Sequence, residues 1–292
     1  MRALAPGREG FVERDGVRVH YEVYGTGQPA VLLLMPDTIT QSRAWKAQVP
    51  FLAREHRVVI ADPRGNGRSD PSPRPERHSD RELLDDGWAV LDAAGCDRAV
   101  LVGLCTGAGH ALMMAAERPD RVRGVVAINP GLRLTPPHPF QVAHDFEAVL
   151  DDEEGWAKAN RHYWRRDWPG FARFFFSELL PEPHSTKQWE DGVSWALGTT
   201  PEAMLVENDA PPSERHDPET AAELCRRVRC PVLVVTGSLD RCQPPERGRR
   251  VAELTGGQLV VIEGGGHLPQ ARDPVRVNLL LRDFLRHCAD RS

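Results

Sequence analysis

The sequence VGLCTGAG at residues 102–109 places a cysteine between two glycines in the pattern G-x-C-x-G. An apolar run precedes it and a helical pattern follows it. Gly103 and Gly107 therefore permit a tight strand-to-helix turn that lifts the Cys105 side chain clear of the backbone. The backbone N–H of Thr106 then lies at a helix start, where it is free to stabilise an oxyanion. Taken alone, the segment is equally consistent with a buried structural cysteine.

Two residues near the end of the chain make Cys105 a candidate nucleophile. Asp240 and His267 follow the last two apolar runs, so the order along the chain is nucleophile, acid and base. An isolated aspartate or histidine after a strand is more often a capping or surface residue. All three at the carboxyl ends of core strands, where open α/β sheets place their sites, are typical of a catalytic triad. The sequence therefore predicts Cys105, Asp240 and His267 as the catalytic residues.

The elements that must position these residues are visible as a pattern of strands and helices. Residues 11–25 read as two strands around an Asp15-Gly16 turn, which predicts a hairpin. Continuous apolar runs, which suit parallel strands covered on both faces, follow at 30–35, 57–62, 98–103, 124–129, 231–237 and 258–264. Helical patterns separate most of these runs. The predicted fold class is α/β, with a doubly wound, mostly parallel sheet.

The alternation of strands and helices stops between about residues 131 and 225, where large aromatic side chains are concentrated. We predict a helical cap at 131–225, between a first core part at 1–130 and a second at 226–292. Cap aromatics more often pack than bind, but the sequence RFFFSELL carries more rings than the core can bury. Some rings should therefore face a pocket between cap and sheet. The residues expected to bind substrate are Trp164, Trp168, Phe175 and Trp195.

Composition narrows the class of protein and its partners. The 292 residues are 40% hydrophobic and 27% charged, with a formal net charge of −5. We therefore expect a small-molecule substrate, and neither nucleic acid nor membrane as a partner. No segment has the apolar length of a signal peptide or a membrane span, so a cytoplasmic location is expected. The six cysteines show no CxxC spacing, so we expect no disulfide framework, no metal and no cofactor.

Over nearly its whole length the chain resembles the α/β-hydrolase superfamily, in particular its capped esterase, haloperoxidase and epoxide-hydrolase-like group. Besides the G-x-C-x-G turn, the sequence DPRGNGRSD at 62–70 matches the D-x-R-G-x-G-x-S motif of that group, which is a structural loop. Some relatives carry the triad acid after the sixth strand, where this chain has Asn129. An amide cannot stabilise an imidazolium as a carboxylate does, so Asp240 is the preferred acid.

The resemblance also implies a second oxyanion donor. Relatives carry His-Gly-x after the strand that residues 30–35 match, and the x residue donates its N–H to the oxyanion hole. Here Met35-Pro36 replaces His-Gly, so the resemblance implies that the N–H of Asp37 acts with that of Thr106. An inward-pointing Asp37 carboxylate would orient a nucleophile or disfavour anionic substrates.

A cysteine nucleophile changes what can follow acylation. The acyl-enzyme is a thioester, so exchange with another thioester costs little and the acyl group stays activated. Three functions stay open. The first is hydrolysis of an ester, thioester or lactone of a medium-sized apolar acyl group, which dienelactone-hydrolase-like relatives catalyse with a Cys-His-Asp triad. The second is an acyltransferase or cyclase, including Dieckmann-type closure, that takes its acyl group from coenzyme A or an acyl carrier protein. The third is a non-catalytic small-molecule binding protein.

Overall fold

The chain forms a sheet of eight strands in a computed structural model that describes residues 4–289. The outermost residues of the two predicted core parts, 1–3 and 290–292, lie outside the described residues. The strands β1–β8 are, in chain order, Arg8–Arg14, Val17–Tyr24, Ala30–Leu34, Val58–Ala61, Ala99–Leu104, Val122–Ile128, Val232–Gly237 and Gln258–Ile262. Their order across the sheet is β1-β2-β4-β3-β5-β6-β7-β8. The strands β5 to β8 are therefore consecutive neighbours.

Helices connect most of the strands. The α-helices α1–α11 of the described residues are, in chain order, Val49–Leu52, Asp80–Ala93, Thr106–Glu117, Arg161–Arg166, Trp168–Leu179, Thr186–Ala196, Pro201–Asn208, Pro218–Arg227, Pro245–Thr255, Pro269–Arg272 and Pro274–Ala289. The Ser79 hydroxyl accepts a hydrogen bond from the backbone N–H of Glu82 and caps α2, as its sequence predicts. None of the helices within residues 4–289 is long and apolar enough to cross a membrane.

The predicted fold class is confirmed. β1 and β2 pair antiparallel with Arg14 opposite Val17, and the turn between them places Asp15 and Gly16 at φ 51° and 80°. Two successive residues with positive φ match the right-handed twist of a hairpin, which explains the Asp-Gly sequence there. Each of the six apolar runs forms a strand, and all pairings from β4 to β8 across the sheet are parallel.

Side chains of the central strands pack on both faces of the sheet. In β3, Val31 and Leu33 join a hydrophobic cluster with α11 and the aromatic helices of residues 161–196. Ala30 and Leu32 point the other way, into a cluster with α2, α3, α8 and α9. Because neither face meets solvent, both need apolar residues, and the sequence shows continuous rather than alternating runs.

The segment that the sequence assigns to a cap, residues 131–225, is described throughout and contains no β-strand. Helices α4 to α7 lie within it, and α5 packs against α6. The helix α8 begins in the same segment but packs against α3 and α9 of the sheet-flanking layer. The domain boundaries at 130/131 and 225/226 stay predictions.

Candidate active site

Cys105 occupies a strained turn between β5 and α3. Its backbone has φ 53° and ψ −119°, a region that residues with a Cβ rarely adopt. The turn is also tightly packed, since a Cβ on Gly103 would lie 2.2 Å from the Gly107 carbonyl oxygen. A Cβ on Gly107 would lie 2.5 Å from the Met35 carbonyl oxygen. Both glycines are therefore needed, and the chain holds the cysteine at the carboxyl end of the central strand.

Asp240 and His267 meet at the same edge of the sheet, in the loops after β7 and β8. The Nδ1–H of His267 donates to Asp240 Oδ2 at 2.8 Å, and both side chains are almost fully buried. The other carboxylate oxygen of Asp240 accepts the backbone N–H groups of Cys242 and Gln243 at 2.7 and 2.9 Å. These three hydrogen bonds fix the carboxylate, which in turn fixes the orientation of the imidazole.

The structure brings His267 to Cys105. The Cys105 sulfur lies within 4.8 Å of a ring nitrogen of His267. Nδ1 is occupied by Asp240, so Nε2 is the nitrogen that faces the sulfur. The three residues predicted as catalytic therefore converge, in the order carboxylate, imidazole, thiol.

Asn129 occupies the position where some relatives carry the acid, and it has a different task here. Its amide nitrogen donates to the carbonyl oxygens of Gly266 and His267 at 3.3 and 2.9 Å. Its amide oxygen accepts the N–H of Gly237 at 2.9 Å. Asn129 therefore ties the end of β7 to the loop that carries the histidine, and it positions the imidazole without touching its ring nitrogens.

The surroundings of Cys105 favour a thiolate. The nearby Cys242 thiol and the charges of His267 and Arg215 hold the pKa of Cys105 well below its usual value despite burial. Burial opposes the charged form of His267, but Asp240 and the Cys105 thiolate outweigh it and raise the pKa of His267 to about 10. Both shifts favour a thiolate–imidazolium pair.

We predict that Cys105 is alkylated selectively by iodoacetamide at about pH 6, where ordinary thiols are protonated. Burial raises the pKa of Cys225 and that of Cys230 to about 12 in each case. The neighbouring Cys105 thiolate keeps the pKa of Cys242 well above its usual value, because a second negative charge beside it is unfavourable. Peptide mapping of the alkylated protein checks this, and equal or greater labelling of Cys242 would contradict it.

The Asp37 side chain turns inward, toward the nucleophile. Burial, together with the charge of the Cys105 thiolate, raises the pKa of Asp37, and the nearby Thr106 side chain opposes this shift. A second carboxyl group lies beside it: Glu207 of α7 accepts the backbone N–H of Thr38 at 2.9 Å. Burial and the charge of Asp37 raise the pKa of Glu207 to about 8. Glu207 therefore holds a proton near neutral pH.

Replacing Glu207 with glutamine should make the protein more stable at alkaline pH. A carboxyl group whose folded pKa is raised stabilises the fold below its unfolded pKa, and this contribution is lost as pH rises through the folded value, here about 8. Glutamine keeps an acceptor for Thr38 and never ionises. At about pH 5 we expect Glu207→Gln and the unmodified protein to have equal melting temperatures. At about pH 9 the melting temperature of Glu207→Gln should be higher by at least about 3 °C. Thermal denaturation across pH checks this, with Glu202→Gln, an exposed position on the same helix, as the control. A parallel pH dependence of Glu207→Gln and the unmodified protein would contradict it.

A cavity of about 490 Å³, which we call the cap cavity, opens between the cap and the core beside this carboxyl pair. Its lining includes Asp37, Thr106, Trp164, Glu207, Arg215 and His216. The Trp164 indole N–H is buried and has no hydrogen-bond partner among the residues that the structure describes. Leaving such a donor unpaired is costly.

The other aromatic residues expected to bind substrate lie within the packing of the cap. Trp168 is buried and donates its indole N–H to the Ala196 carbonyl oxygen at 3.0 Å, and Trp195 packs edge-on against Phe176. Phe175 stacks on Phe171 and is partly exposed. Their role in substrate binding stays a prediction.

Two features of the site have no counterpart in the sequence analysis. The Cys242 sulfur lies within 4.8 Å of the Cys105 sulfur, so Cys105, Cys242 and His267 form a set of three atoms of the kind that bind soft metal ions. Gln243 donates its side-chain amide to the Cys105 sulfur at 3.4 Å. The only signal for either residue in the sequence is its place two or three positions after Asp240.

Comparison with known proteins agrees with this fold. Residues 31–274 match the family model described as the alpha/beta hydrolase fold. The chain belongs to the α/β-hydrolase fold family. The bifunctional esterase/perhydrolase DCH of Acinetobacter calcoaceticus is 26% identical over 283 residues, covering 94% of this chain and 98% of that protein.

Solved α/β-hydrolase-fold structures are similar over the same extent. Est816, described as an N-acyl homoserine lactone degrading enzyme, is 27% identical with a TM-score of 0.75, covering 94% of this chain and all of that one. A thermophilic esterase from Thermogutta terrifontis is 25% identical with a TM-score of 0.71, covering 97% of this chain and 99% of that one. The similarity therefore extends across the sheet, the active-site loops and the segment 131–225.

Proposed function

We propose that this protein is a hydrolase that cleaves an ester, thioester or lactone through a thioester intermediate on Cys105. The observation that carries the proposal is the convergence of Cys105, His267 and Asp240, with the sulfur within 4.8 Å of the imidazole and the imidazole 2.8 Å from the carboxylate. The esterase and lactone-degrading activities named for the similar proteins support the same reaction class.

Acylation begins with attack of the Cys105 thiolate on the carbonyl carbon of the substrate. The tetrahedral oxyanion is stabilised by the backbone N–H groups of Thr106 and Asp37. His267 then donates its Nε2 proton to the leaving group, at the oxygen of an alcohol or the sulfur of a thiol. The carbonyl re-forms, and the acyl group is now bound to Cys105 as a thioester. Asp240 stabilises the imidazolium before this transfer and holds the ring in position during it.

Deacylation reverses the roles. His267, now neutral, accepts a proton from a water molecule that attacks the thioester carbonyl. The same backbone donors stabilise the second oxyanion, and its collapse releases the carboxylic acid and returns the thiolate–imidazolium pair. The carboxyl groups of Asp37 and Glu207 line the cap cavity, which disfavours acyl groups that carry a second carboxylate nearby.

The cap cavity suits a medium-sized acyl group with one polar atom. Its volume of about 490 Å³ is of the size that holds small organic ligands. The Trp164 indole supplies an apolar surface, and its unpartnered N–H offers one hydrogen bond. These features favour an acyl chain with a hydroxyl or carbonyl oxygen over a plain alkyl chain.

Acyl transfer or cyclisation is the second candidate, and the burial of the nucleophile favours it. Cys105 is only 5% exposed, so water reaches the thioester only through the covered site. A second nucleophile held in the cap cavity would then compete well for an activated acyl group. The donor would be a coenzyme A or carrier-protein thioester, with an acyl carrier protein as partner.

The experiment that separates these candidates measures free acid without an added acceptor. We would incubate the protein with p-nitrophenyl esters, N-acetylcysteamine thioesters and lactones that carry the same set of acyl groups. Steady release of free acid supports hydrolysis. A single burst of leaving group that turns over only when an alcohol, amine or thiol is added supports transfer. No release and no acyl adduct with any class of donor would contradict both and leave a binding protein.

A further inference from the structure

A second thiol, that of Cys242, lies beside the nucleophile and takes no covalent part in the proposed acyl transfer. The sulfur atoms of Cys105 and Cys242 lie within 4.8 Å of each other, and both thiols are free. The side-chain amide of Gln243 contacts both, at 3.4 Å from one sulfur and 3.9 Å from the other. The two sulfur atoms thus share one hydrogen-bonding environment at the floor of the active site.

The positions of the two cysteines allow a disulfide bond with a small movement. A disulfide needs the sulfur atoms at about 2.05 Å, so the thiols must approach by less than about 3 Å. Cys105 is fixed by the strained turn, but Cys242 lies in the loop between β7 and α9, outside any helix or strand, and is partly exposed. The Cys242 side chain can therefore rotate toward a partner that stays in place.

We propose that Cys105 and Cys242 form a reversible disulfide in the presence of a peroxide, and that this modification switches the proposed acyl chemistry off. The Cys105 thiolate attacks one peroxide oxygen, so that an S–O bond forms, the O–O bond breaks and hydroxide leaves. His267 protonates the leaving hydroxide to water. The Cys242 sulfur then attacks the sulfenic sulfur of Cys105, an S–S bond forms, and a second hydroxide leaves and is protonated. Two thiols and one peroxide give one disulfide and two waters.

The surroundings favour the second step only after the first has occurred. While Cys105 is a thiolate, its charge keeps Cys242 protonated and unreactive. Oxidation to the neutral sulfenic acid removes that charge. The neutral His267 that remains, within 4.8 Å of both sulfur atoms, can accept the Cys242 proton and pass it to the leaving hydroxide. The disulfide also protects Cys105 from oxidation to the sulfinic acid, which thiols do not reverse.

The test treats the full-length, reduced protein with stoichiometric hydrogen peroxide in the presence of a metal chelator, with no substrate. We expect a mass loss of about 2 Da and a disulfide between the tryptic peptides 99–121 and 242–247. Turnover of the best ester or thioester donor should fall at least tenfold in the same sample and return when dithiothreitol is added.

Two variants make the result specific. Cys242→Ser should show no mass loss, gain oxygen at Cys105 instead, and stay inactive after dithiothreitol once two oxygens are added. Cys230→Ser, which removes a thiol outside the site, should behave as the unmodified protein. Absence of the cross-linked peptide, or equal sulfinic acid formation with and without Cys242, would overturn the proposal. The proposal would also be overturned if turnover were lost without peroxide and a chelator restored it. That result would mark the two thiols and His267 as a metal site.

The inference rests on the proposed function only for its effect on turnover. The cross-linked peptide is detected without substrate, so its absence counts against the disulfide alone. A reduced protein that forms the disulfide but accepts no acyl group would count against the proposed hydrolase alone.

Discussion

Cys105→Ala should lower kcat/KM by at least about a thousandfold, because it removes the sulfur that we propose forms the acyl intermediate. Cys105→Ser should retain the fold and still lose at least about tenfold, or about 1.4 kcal/mol of barrier. A serine hydroxyl is not ionised beforehand by the neutral imidazole, so its proton must be removed during attack. The shorter C–O bond also moves the attacking atom, and small displacements of a nucleophile are costly.

Steady-state kinetics of both variants on one activated ester and one thioester measures these losses. Cys230→Ser is the matched control, since it also replaces a sulfur atom by oxygen but at a position away from the active site. Circular dichroism and melting temperatures establish that the variants are folded. If Cys105→Ser turned over as fast as the unmodified protein, the thiol would have no special role, and an ordinary serine-type hydrolysis would describe the site better.

Asp240→Asn should lower turnover by at least about a hundredfold while leaving the backbone of the loop in place. The asparagine oxygen can keep the hydrogen bonds from the N–H groups of Cys242 and Gln243, so its NH₂ group faces His267 Nδ1. The imidazole then carries its proton on Nε2 and cannot act as a base toward the thiol or water. The pKa of His267, which the Asp240 charge helps to raise to about 10, should fall toward its ordinary range.

Two measurements check this prediction. Turnover gives the loss of rate, and the rate of iodoacetamide alkylation at about pH 6 gives the thiolate population, which should fall at least tenfold. Asp273→Asn is the control, because Asp273 accepts the N–H of Arg276 at the start of α11 and asparagine can do the same. A variant Asp240→Asn with unchanged alkylation would show that the thiolate does not depend on the carboxylate.

Local features of the sequence were enough to predict the sheet and the three converging residues. The six apolar runs have one interpretation, because a strand covered on both faces needs apolar residues at every position. Cys105 is recognisable because Gly103 and Gly107 are required by contacts of 2.2 and 2.5 Å that no other residue would allow. Asp240 and His267 are recognisable because they directly follow strands that end at the same edge.

The contents of the site around the three residues depend on contacts between distant segments, which periodicity does not encode. Glu207 lies on a helix of the cap whose position relative to Asp37 is set by tertiary packing. The approach of Cys242 to Cys105 depends on the conformation of the loop after β7, where no regular element fixes the side chains. Trp164 of α4 lines the cap cavity, whereas Trp168 of α5 does not. Their spacing in the sequence cannot show which of the two faces the cavity.

The central claim is that Cys105 becomes acylated, and the most direct test is intact-mass spectrometry of the protein quenched in acid during turnover. We predict a mass increase equal to one acyl group in the unmodified protein, located by peptide mapping to residues 99–121 and removed by neutral hydroxylamine, as expected of a thioester. Cys105→Ala should carry no adduct, and Cys105→Ser should retain a longer-lived oxyester. An adduct that persists in Cys105→Ala, or turnover of every donor with no acyl mass at any time, would contradict the account.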